Sequence, residues 1–436
     1  MTETITLGII GKPVLHSLSP SLFESAFAET GVEGIYLRIA AASAPRAIEV
    51  AGEMGLDGYN VTAPFKERVV GHMDELAPSA ARLLAVNTVV CRGGRRVGHN
   101  TDVTGARRLL EEHGAGVFGR TVFVIGTGGA AKAGVCAAAE LGARTVVLGR
   151  DRARGASLAR RFGAGFQVLD RAGEVVREDS LIMCCVPPGA RALDDGVLGE
   201  GNAVIDASYI PSEAKASAIR AGSLYVSGAA WLLAQAREAF RLMTGRDAPE
   251  GSMERALGRG AGEPPTALWL LGMMGSGKSA VGRAAARMMG EPFVDTDRIV
   301  EELVGASAHE IFDRLGETRF REVERGVLER ALARVGQGVV ALGGGSTSDG
   351  DLARRIRTET CAVWLWASTG VCARRANGSP RPLLQGRDAT GAIDDLLRER
   401  MRDYSRSARL VVDSGTGEVD DVARRICEEI RLARRR

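Results

Sequence analysis

Two glycine-rich loops, each between an apolar stretch and a helical pattern, constrain the fold of this chain most strongly. The first covers residues 126–131 and follows the apolar stretch TVFVI; the second covers 272–279 and follows TALWLL. A strand that runs through a glycine-rich turn into a helix is a building unit of parallel α/β sheets. Because the two loops differ in pattern, they are not copies of one repeat. The chain is therefore predicted to contain two separate α/β units.

The second loop predicts a phosphoryl-transfer site. Its residues, GMMGSGKS, match G-x-x-x-x-G-K-[ST] in full. In such a loop backbone N–H groups surround phosphate oxygens, the lysine (Lys278) bridges the β- and γ-phosphates, and the hydroxyl of Ser279 reaches Mg²⁺. Asp295 and Asp297 follow the next apolar stretch, and carboxylates two residues apart on a strand end point the same way. One is expected near the metal ion and the other at a substrate hydroxyl.

The first loop favours a dinucleotide. Its residues, GTGGAA, match G-x-G-x-x-[GA] between a strand and a helix. The end of the next strand separates NAD enzymes, which place an acidic residue there, from NADP enzymes, which place an arginine. Arg150, Arg152 and Arg154 favour NADP, whereas Asp151 favours NAD. The sequence thus favours NADP and leaves NAD open.

The segment 246–265 divides the chain. It is rich in Gly and Pro, has few apolar residues, and predicts a flexible linker with relative motion of the parts on either side. Before it we expect an N-terminal α/β substrate domain over 1–102 and a Rossmann dinucleotide-binding domain over 103–245 that ends in a returning helix. After it, residues 266–436 are expected to form a P-loop α/β domain with a central parallel sheet.

Composition and charge indicate which partners and which cellular compartment to expect. Lys+Arg is 57 and Asp+Glu is 54, and this balance gives no reason to expect a nucleic-acid or anionic-membrane partner. The seven cysteines form no CxxC pair, and the N-terminus lacks a secretion signal pattern, so a reduced, cytoplasmic protein is expected. Few of the basic residues are lysines, which makes Lys66 and Lys278 stand out. The sequence leaves open a monomer or a homo-oligomer.

Residues 266–436 resemble shikimate kinase over their whole length. The loop is followed, in the order of that family, by D-x-D at 295–297, F-R-x-x-E at 320–324, G-G-G at 343–345, R-P-L-L at 381–384 and R-x-x-x-Y at 400–404. The resemblance implies that Asp297 acts at the 3-hydroxyl of shikimate, and that Lys278 and Arg381 act at the transferring phosphoryl group. The ATP-binding residues it implies are Gly272, Gly275, Ser276, Gly277, Lys278, Ser279, Ala280, Arg374 (or Arg375) and Arg381. The implied shikimate-binding residues are Asp297, Arg321, Gly343, Gly344, Gly345 and Arg400, and the magnesium ligands are Ser279 and Asp295.

Residues 1–245 resemble shikimate dehydrogenase. The motifs are S-x-S at 17–19, N-V-T-x-P-x-K at 60–66, N-T at 87–88, G-x-N-T-D at 98–102, the first glycine loop, and a late helix from 228. The resemblance implies that Lys66 and Asp102 form the catalytic pair for the NADPH-dependent reduction of 3-dehydroshikimate. The implied shikimate-binding residues are Ser17, Ser19, Asn60, Thr62, Lys66, Asn87, Asn100, Asp102 and Gln235. The implied NADP-binding residues are Gly126, Gly128, Gly129, Ala130, Ala131, Arg150, Arg154 and Gly228.

Several departures from the dehydrogenase pattern lie on the cofactor side. Gly149 and Asp151 replace the usual Asn and Thr around Arg150, and Trp231 stands where Met is common. Taken together, the sequence predicts a bifunctional enzyme for two consecutive steps of the shikimate pathway, which leads to chorismate and the aromatic amino acids. Two alternatives remain open: a kinase fused to a non-catalytic shikimate- or nucleotide-binding module, and a quinate/shikimate dehydrogenase that uses NAD.

Overall fold

The fold consists of two β-sheets covered by helices. The computed structural model describes residues 4–434 except 114–116, 188, 191, 195, 211, 250, 260–263, 335–337 and 377–387. The strands are β1 (Ile5–Gly11), β2 (Gly34–Ala40), β3 (Gly58–Val61), β4 (Glu75–Leu76), β5 (Thr88–Arg92), β6 (Arg95–His99), β7 (Thr121–Ile125), β8 (Arg144–Gly149), β9 (Gly165–Val168), β10 (Leu181–Cys184), β11 (Ala203–Asp206), β12 (Leu224–Val226), β13 (Leu268–Leu271), β14 (Phe293–Asp295), β15 (Val339–Ala341), β16 (Cys361–Trp366) and β17 (Leu410–Asp413).

The helices alternate with these strands along most of the chain. They are α1 (Ser19–Thr30), α2 (Ala44–Glu53), α3 (Pro78–Leu83), α4 (Thr101–His113), α5 (Gly129–Glu140), α6 (Arg152–Phe162), α7 (Ala172–Val175), α8 (Glu213–Arg220), α9 (Gly228–Thr244), α10 (Ser252–Arg259), α11 (Lys278–Met289), α12 (Thr296–Val304), α13 (Ala308–Arg334), α14 (Gly350–Glu359), α15 (Thr369–Ala376), α16 (Ala389–Ser407) and α17 (Val419–Arg434). Helix α13 bends at Gly316. Side-chain caps begin several helices, among them Asp151 at α6, Asp295 at α12 and Asp349 at α14, where an oxygen accepts a backbone N–H that has no partner within the helix.

The smaller sheet is the predicted Rossmann sheet. Its strand order is β12-β11-β10-β7-β8-β9, and all of its pairs are parallel. The strand interiors are apolar: β7, TVFVI, and β10, LIMC, are almost wholly buried, as expected for parallel strands with helices on both faces. The α/β class, the parallel Rossmann sheet and the parallel sheet of the kinase half are thus confirmed, whereas the N-terminal part of the larger sheet also has antiparallel pairs, β3 with β5 and β5 with β6.

The larger sheet joins the two halves of the chain. It has eleven strands in the order β14-β15-β13-β16-β17-β2-β1-β3-β5-β6-β4. The first five come from the C-terminal half and the other six from the N-terminal half. At the junction β17 pairs in parallel with β2, with Val411 opposite Ile39 and Val412 opposite Ala40. Without this pairing, each half would expose the unpaired N–H and C=O groups of a sheet edge. The pairing of β17 with β2 removes both exposed edges.

Charged side chains reinforce this junction. Arg46 from α2 donates to the fully buried Asp413 at the end of β17 over 3.0 Å. The same guanidinium contacts Glu53 at 2.9 Å, and Glu53 in turn accepts a hydrogen bond from Trp366 Nε1 at 2.9 Å. At the opposite end of the junction Arg402 contacts Glu33. A buried carboxylate needs such partners because its desolvation would otherwise be costly.

The apolar core also crosses the junction. On one face of the larger sheet, Ile39 and Leu37 of the N-terminal half belong to the same buried cluster as Trp366 and Val411. The other face has an equivalent cluster that includes Leu22, Phe23, Val412 and Ile426. Burying apolar area in common makes separation of the halves costly. The expectation that the halves move relative to one another is therefore wrong for this structure.

Part of the predicted linker is a docked helix. Helix α10 carries a charged outer face, while Ser252, Met253 and Ala256 are buried against α1 and α9. Ser25 Oγ donates to the carbonyl oxygen of Ser252 at 2.8 Å, and Arg255 pairs with Glu29. Because glycines and prolines surround this stretch, its short amphipathic pattern does not stand out as a helix in the sequence. The flexible linker predicted over 246–265 is thus wrong for residues 252–259.

The described part of the chain offers neither a helix that could span a membrane nor a cluster of metal-ligating side chains. None of its helices combines the length and the apolar character that a membrane crossing requires. Its histidine, cysteine and acidic side chains form no group of three or more that is arranged to hold a metal ion.

Candidate active sites

Lys66 and Asp102 meet at the base of a cleft between the N-terminal domain and the Rossmann domain. Lys66 lies in the turn after β3, where the buried ring of Phe65 anchors the backbone, and Asp102 lies in the first turn of α4. Lys66 Nζ is 2.6 Å from Asp102 Oδ2, and the side chains are 24% and 10% exposed. The ammonium group is thus fixed by its partner yet open to a molecule in the cleft.

A chain of amide and hydroxyl groups extends from this pair. Asn87 Nδ2 donates to Gln235 Oε1 at 3.0 Å, while Asn87 Oδ1 accepts from the backbone N–H of Thr101 at 2.7 Å. Tyr36 donates its hydroxyl proton to Asn60 Oδ1 at 2.6 Å. Burial raises the pKa of Tyr36 well above its usual range, so the hydroxyl stays a donor. The network fixes which amide atoms face the cleft.

These side chains surround a cavity of about 220 Å³. The shikimate-binding residues predicted from the sequence that line it are Ser17, Ser19, Asn60, Thr62, Lys66, Asn87, Asp102 and Gln235. Asn100 is not among the lining residues. Its Nδ2 donates to the carbonyl oxygen of Ala85 at 2.9 Å, and its Oδ1 accepts the backbone N–H of Asp102 at 3.2 Å. Asn100 therefore orients the start of α4 and, through it, Asp102.

The first glycine loop opens onto the same cavity. Gly126 has a φ of +117°, and a Cβ at this position would lie 2.8 Å from the carbonyl oxygen of Cys185, so no other residue fits. Gly128 caps α5, Gly129 begins it, and Ala131 is buried in the helix. Ala130 and Gly228 line the same cavity as the predicted shikimate-binding side chains. A narrow loop at a helix N-terminus is a suitable place for a pyrophosphate, and it lies beside Lys66.

The arginines after β8 are available for a charged ligand. Arg150 and Arg154 are exposed at the carboxyl end of that strand. Asp151 accepts the backbone N–H of Arg154 at 3.0 Å as the cap of α6. The carboxylate of Asp151, which favoured NAD in the sequence, therefore has a structural role. It accepts a backbone N–H at the start of α6 that has no partner within the helix.

The other departures from the dehydrogenase pattern are also accommodated. Trp231 is buried, donates from Nε1 to the carbonyl oxygen of Asp102 at 3.0 Å, and packs against Gly105. It thus supports α4 while one side of it lines the cavity. Cys184 and Cys185 are free, and burial raises the pKa of both thiols. They remain protonated side chains beneath the glycine loop.

The second site forms around the phosphate-type loop between β13 and α11. Lys278, the first residue of α11, donates from Nζ to the carbonyl oxygens of Gly272 and Met273 at 2.8 and 3.1 Å. Ser279 Oγ donates to Asp295 Oδ2 at 2.6 Å. A hydroxyl and a carboxylate in contact beside such a loop form the oxygen donor set that Mg²⁺ takes together with phosphates. The predicted metal ligands thus lie together. The other predicted nucleotide residues, Gly275, Ser276, Gly277 and Ala280, lie in the loop or at the start of α11.

Asp297 lies in the first turn of α12, next to this loop. Burial raises its pKa to about 6; the charge of Lys278 works in the opposite direction, and the nearby Glu324 and Asp295 carboxylates raise it further. A carboxyl group with a pKa near the working pH is suited to accept a proton from a substrate hydroxyl. Its environment therefore fits the role that the sequence predicts for it.

Asp297 and two arginines lie against the triple-glycine loop. A Cβ on Gly345 would lie 2.2 Å from Arg321 Nη1, so glycine alone lets that guanidinium approach the loop. Arg400 Nη1 and Tyr404 Oη donate to the carbonyl oxygen of Gly344 at 2.9 and 2.5 Å, and Gly343 donates its N–H to a threonine hydroxyl of α12 at 3.0 Å. Two guanidinium groups beside a buried carboxyl group form a place for a carboxylate-bearing alcohol.

Two predictions concern arginines on the nucleotide side. Arg374 and Arg375 are both exposed on α15, and Arg375 Nη1 donates to the carbonyl oxygen of Ser414 at 2.9 Å. The assignment of one of them to the nucleotide stays a prediction. Arg381 lies outside the described residues, as does the rest of the R-P-L-L motif.

Several functional contacts were missed from the sequence. Glu324 is buried, pairs with Arg321 at 2.8 Å and accepts from Ser346 Oγ at 2.6 Å; its place in F-R-x-x-E was the available signal. Tyr36 joins the shikimate-side network, but nothing in the stretch YLRIA marks it. The N–H of Thr101 donates to Asn87 Oδ1 at 2.7 Å, and because the two residues are fourteen positions apart, no local pattern marks this contact.

Comparisons with known proteins agree with this geometry. The family models that match are the shikimate dehydrogenase substrate binding domain over residues 9–89, the shikimate 5'-dehydrogenase C-terminal domain over 232–257 and shikimate kinase over 274–431. A shikimate dehydrogenase (NADP(+)) of Symbiobacterium thermophilum is 37% identical over 274 residues, which cover 57% of this chain and 92% of that protein.

Solved structures give the same answer for the N-terminal half. Shikimate 5-dehydrogenase from Thermus thermophilus, in complex with NADP(H) and shikimate, is similar with a TM-score of 0.54 and 32% identity, covering 59% of this chain and 100% of that one. Quinate dehydrogenase from Corynebacterium glutamicum, in complex with NAD, is similar with a TM-score of 0.54 and 27% identity, covering 59% and 99%. The chain belongs to the shikimate dehydrogenase family, carries a shikimate kinase domain fused behind it, and is a shikimate-pathway enzyme with both activities.

Proposed function

We propose that the N-terminal half reduces 3-dehydroshikimate to shikimate with NADPH and that the C-terminal half phosphorylates shikimate at its 3-hydroxyl with MgATP. The observation that carries the proposal is the position of two groups: Lys66 lies beside the dinucleotide-type loop, and Asp297 lies beside the phosphate-type loop. Two consecutive reactions, of which the first forms shikimate and the second phosphorylates it, account for both sites.

In the reduction, Lys66 acts at the carbonyl oxygen of the substrate. Bound NADPH supplies the hydride to the carbonyl carbon. As that C=O bond becomes a C–O single bond, Lys66 Nζ donates a proton to the oxygen, and Asp102 at 2.6 Å keeps the ammonium group aimed. The amides of Asn60, Asn87 and Gln235, held by their hydrogen bonds, orient the ring. Ser17 and Ser19 line the same cavity and offer hydroxyl groups to the substrate.

In the phosphorylation, Asp297 accepts the proton of the 3-hydroxyl while that oxygen bonds to the γ-phosphorus of ATP. The bond between the γ-phosphorus and the leaving oxygen breaks, and ADP departs. Ser279 and Asp295 would hold Mg²⁺, which would neutralise phosphate charge when bound. Lys278 stabilises the transferring group, and Arg321 and Arg400 hold the carboxylate of shikimate in bidentate fashion. Arg374 would contact the nucleotide, and Arg381 is expected to act at the transferring phosphoryl group.

NADP is the proposed dinucleotide because Arg150 and Arg154 are exposed where a 2′-phosphate would lie and because Asp151 is engaged as a helix cap. Relatives are named as NADP(+) enzymes. A quinate dehydrogenase in complex with NAD is also similar to this chain. The NAD-dependent alternative is therefore the one that the experiment must separate from the proposal. A reducing compartment, the cytoplasm, is proposed because all seven cysteines are free thiols.

A cofactor-oxidation trace on the full chain tests the proposal. With 3-dehydroshikimate, the absorbance of NADPH should fall in a one-to-one ratio with substrate, and NADH should be oxidised much more slowly. MgATP added afterwards should release ADP until the shikimate is consumed. A chain that oxidises neither dinucleotide yet releases ADP when shikimate is supplied would be a kinase with a binding module. Faster oxidation of NADH than of NADPH, with 3-dehydroquinate as the ketone substrate, would favour the NAD alternative.

A further inference from the structure

The segment from Lys12 to Ser19 forms one wall of the dehydrogenase cavity. Ser17 and Ser19 line the cavity, and their hydroxyls lie 3.2 Å apart. A turn shapes the segment: the N–H of Ser17 donates to the carbonyl oxygen of Val14 at 3.0 Å. The position of Val14 therefore sets the position of the serine pair. The N–H groups of Val14 and Leu15 point away from the turn and need an acceptor from elsewhere.

That acceptor comes from the other half of the chain. Glu429, on α17 of the kinase domain, accepts both N–H groups with the same atom: Oε2 is 2.7 Å from Val14 N and 2.9 Å from Leu15 N. The side chains of Glu429 and Val14 are almost fully buried. Charge-assisted hydrogen bonds to backbone N–H groups are among the stronger polar contacts in proteins. The second carboxylate oxygen forms no hydrogen bond among the described residues.

A second link to the kinase half runs through Arg38 of β2, which holds the far end of the same segment. Arg38 donates to the carbonyl oxygen of Ser17 from Nε at 3.2 Å and from Nη2 at 2.7 Å. Its remaining nitrogen, Nη1, donates to the carbonyl oxygen of Arg409 at 3.4 Å, directly before β17. Around Glu429, Ile426 and Ile430 of α17 share one buried cluster with Val14 and Leu15. The segment from Lys12 to Ser19 thus packs against the kinase domain instead of facing water on this side.

We propose that Glu429 of the kinase half is a positioning residue of the dehydrogenase site, which fixes the turn that presents Ser17 and Ser19 to shikimate. The proposal rests on the proposed function, since it assigns the cavity to shikimate. Glu429 touches neither substrate nor cofactor; it acts through the backbone of Val14 and Leu15. The dehydrogenase site is complete only when the kinase domain is folded against it.

The test measures steady-state oxidation of shikimate by NADP⁺ in full-length variants. Glu429→Met keeps the volume of the side chain but removes the acceptor, and it should raise the KM for shikimate about tenfold, as expected for loss of hydrogen bonds to a charged group. The KM for NADP⁺ should stay within about twofold, since Glu429 is remote from the glycine loop. Glu429→Gln retains one carbonyl oxygen, which can accept both N–H groups, and should restore most of the affinity.

Controls separate positioning from general damage. Glu428→Met changes the neighbouring, partly exposed side chain on the same helix and should leave the shikimate KM as in the wild type. The kinase parameters of each variant report whether α17 and its domain remain folded; if Glu429→Met does not fold, Glu429→Gln is compared with Glu429→Asp, whose shorter side chain cannot reach both N–H groups at the same distances.

Three results would overturn the proposal: an unchanged shikimate KM in Glu429→Met, equal losses in the Met and Gln variants, or a parallel rise in the KM for NADP⁺. In the fallback comparison, equal shikimate KM values for Gln and Asp would overturn it as well. Failure of the proposed function itself is distinguishable, because the wild-type chain would then not oxidise shikimate with NADP⁺ at all.

Discussion

In the dehydrogenase cavity a cation and an anion neutralise each other, since Lys66 Nζ lies 2.6 Å from Asp102 Oδ2. In the kinase site carboxyl groups are crowded instead: burial raises the pKa of Asp297 to about 6, and Glu324 adds to the shift. The first arrangement places a proton donor beside the cleft, and the second places a carboxyl group whose raised pKa makes it a better proton acceptor. Under the proposed function, the two sites carry out opposite proton transfers, to the oxygen of 3-dehydroshikimate in one and from the oxygen of shikimate in the other.

The largest expected effect removes the donor of the first site. Lys66→Met should lower the turnover number of the dehydrogenase by about 10²–10⁴-fold, because a positioned acid contributes about that much. Kinase turnover on added shikimate should not change, and this comparison within one sample is the control. A Lys66→Met chain that retains more than a tenth of its reductase activity would contradict the assignment.

The equivalent change in the second site replaces the acceptor. Asp297→Asn should lower kinase turnover by roughly 10²-fold, since the amide cannot take the hydroxyl proton. Reduction of 3-dehydroshikimate should continue at the wild-type rate. Equal loss of both activities would indicate damage to the shared sheet instead, and intact kinase activity would remove Asp297 from the mechanism.

The pH dependence of the kinase sharpens the comparison. The pKa of Asp297 is raised above its ordinary value to about 6, so the carboxylate is the main form above pH 6 and the neutral acid below it. Only the carboxylate accepts a proton, and kcat/KM for shikimate should therefore fall roughly tenfold per pH unit below 6.

Glu324→Gln tests whether Asp297 is the group whose protonation lowers kinase activity at acid pH. Because the charge of Glu324 raises the pKa of Asp297, its removal should move the acid limb to lower pH. A wild-type profile that stays flat down to pH 5 would show that Asp297 titrates in its ordinary range.

A smaller effect is expected at the cofactor end of the dehydrogenase half. Arg150→Ala should raise the KM for NADPH about fivefold, a modest value because the guanidinium is exposed and screened by solvent. The KM for NADH should hardly move, since NADH lacks the 2′-phosphate. Arg152→Ala is the matched control on the adjacent helix. If NADH and NADPH respond alike, Arg150 does not read the 2′-phosphate.

The smallest effect on activity is expected at the junction of the halves. Arg46→Met removes the partner of the buried Asp413, which keeps hydrogen bonds from Gly415 N and Thr416 Oγ1. The free energy of unfolding should fall by about 1–3 kcal/mol, as measured by denaturant titration, while both activities keep their wild-type rates at low temperature. Arg82→Met, which loses only an exposed pair with Glu140, should cost about 1 kcal/mol or less.

Much of both sites could be predicted from the sequence, because their residues occur in contiguous motifs. Lys278 and Ser279 stand in one loop, and Asp295 and Asp297 at the end of one strand, so local spacing places them. Lys66 and Asp102 belong to separate motifs, and their pairing depended on family resemblance. The cap formed by Asp151 was readable too, since an Asp directly before a helical pattern predicts an N-cap.

The junction could not be predicted, because it depends on pairs far apart in the chain. The pairing of β2 with β17 leaves no periodic signal, since either strand is an ordinary apolar stretch and each half has a plausible sheet of its own. Glu429 and Val14 are 415 residues apart, and a glutamate on an amphipathic helix usually faces water. Helix α10 was missed because glycine and proline around it outweighed its few apolar residues.

Mixing two single-site variants tests most directly that one chain carries two independent reactions. Lys66→Met alone should not reduce 3-dehydroshikimate, and Asp297→Asn alone should stop at shikimate. Supplied together with 3-dehydroshikimate, NADPH and MgATP, the two proteins should form shikimate 3-phosphate after a lag, as shikimate released by one reaches the other. Absence of shikimate 3-phosphate from the mixture, while each variant keeps its remaining activity, would contradict the account.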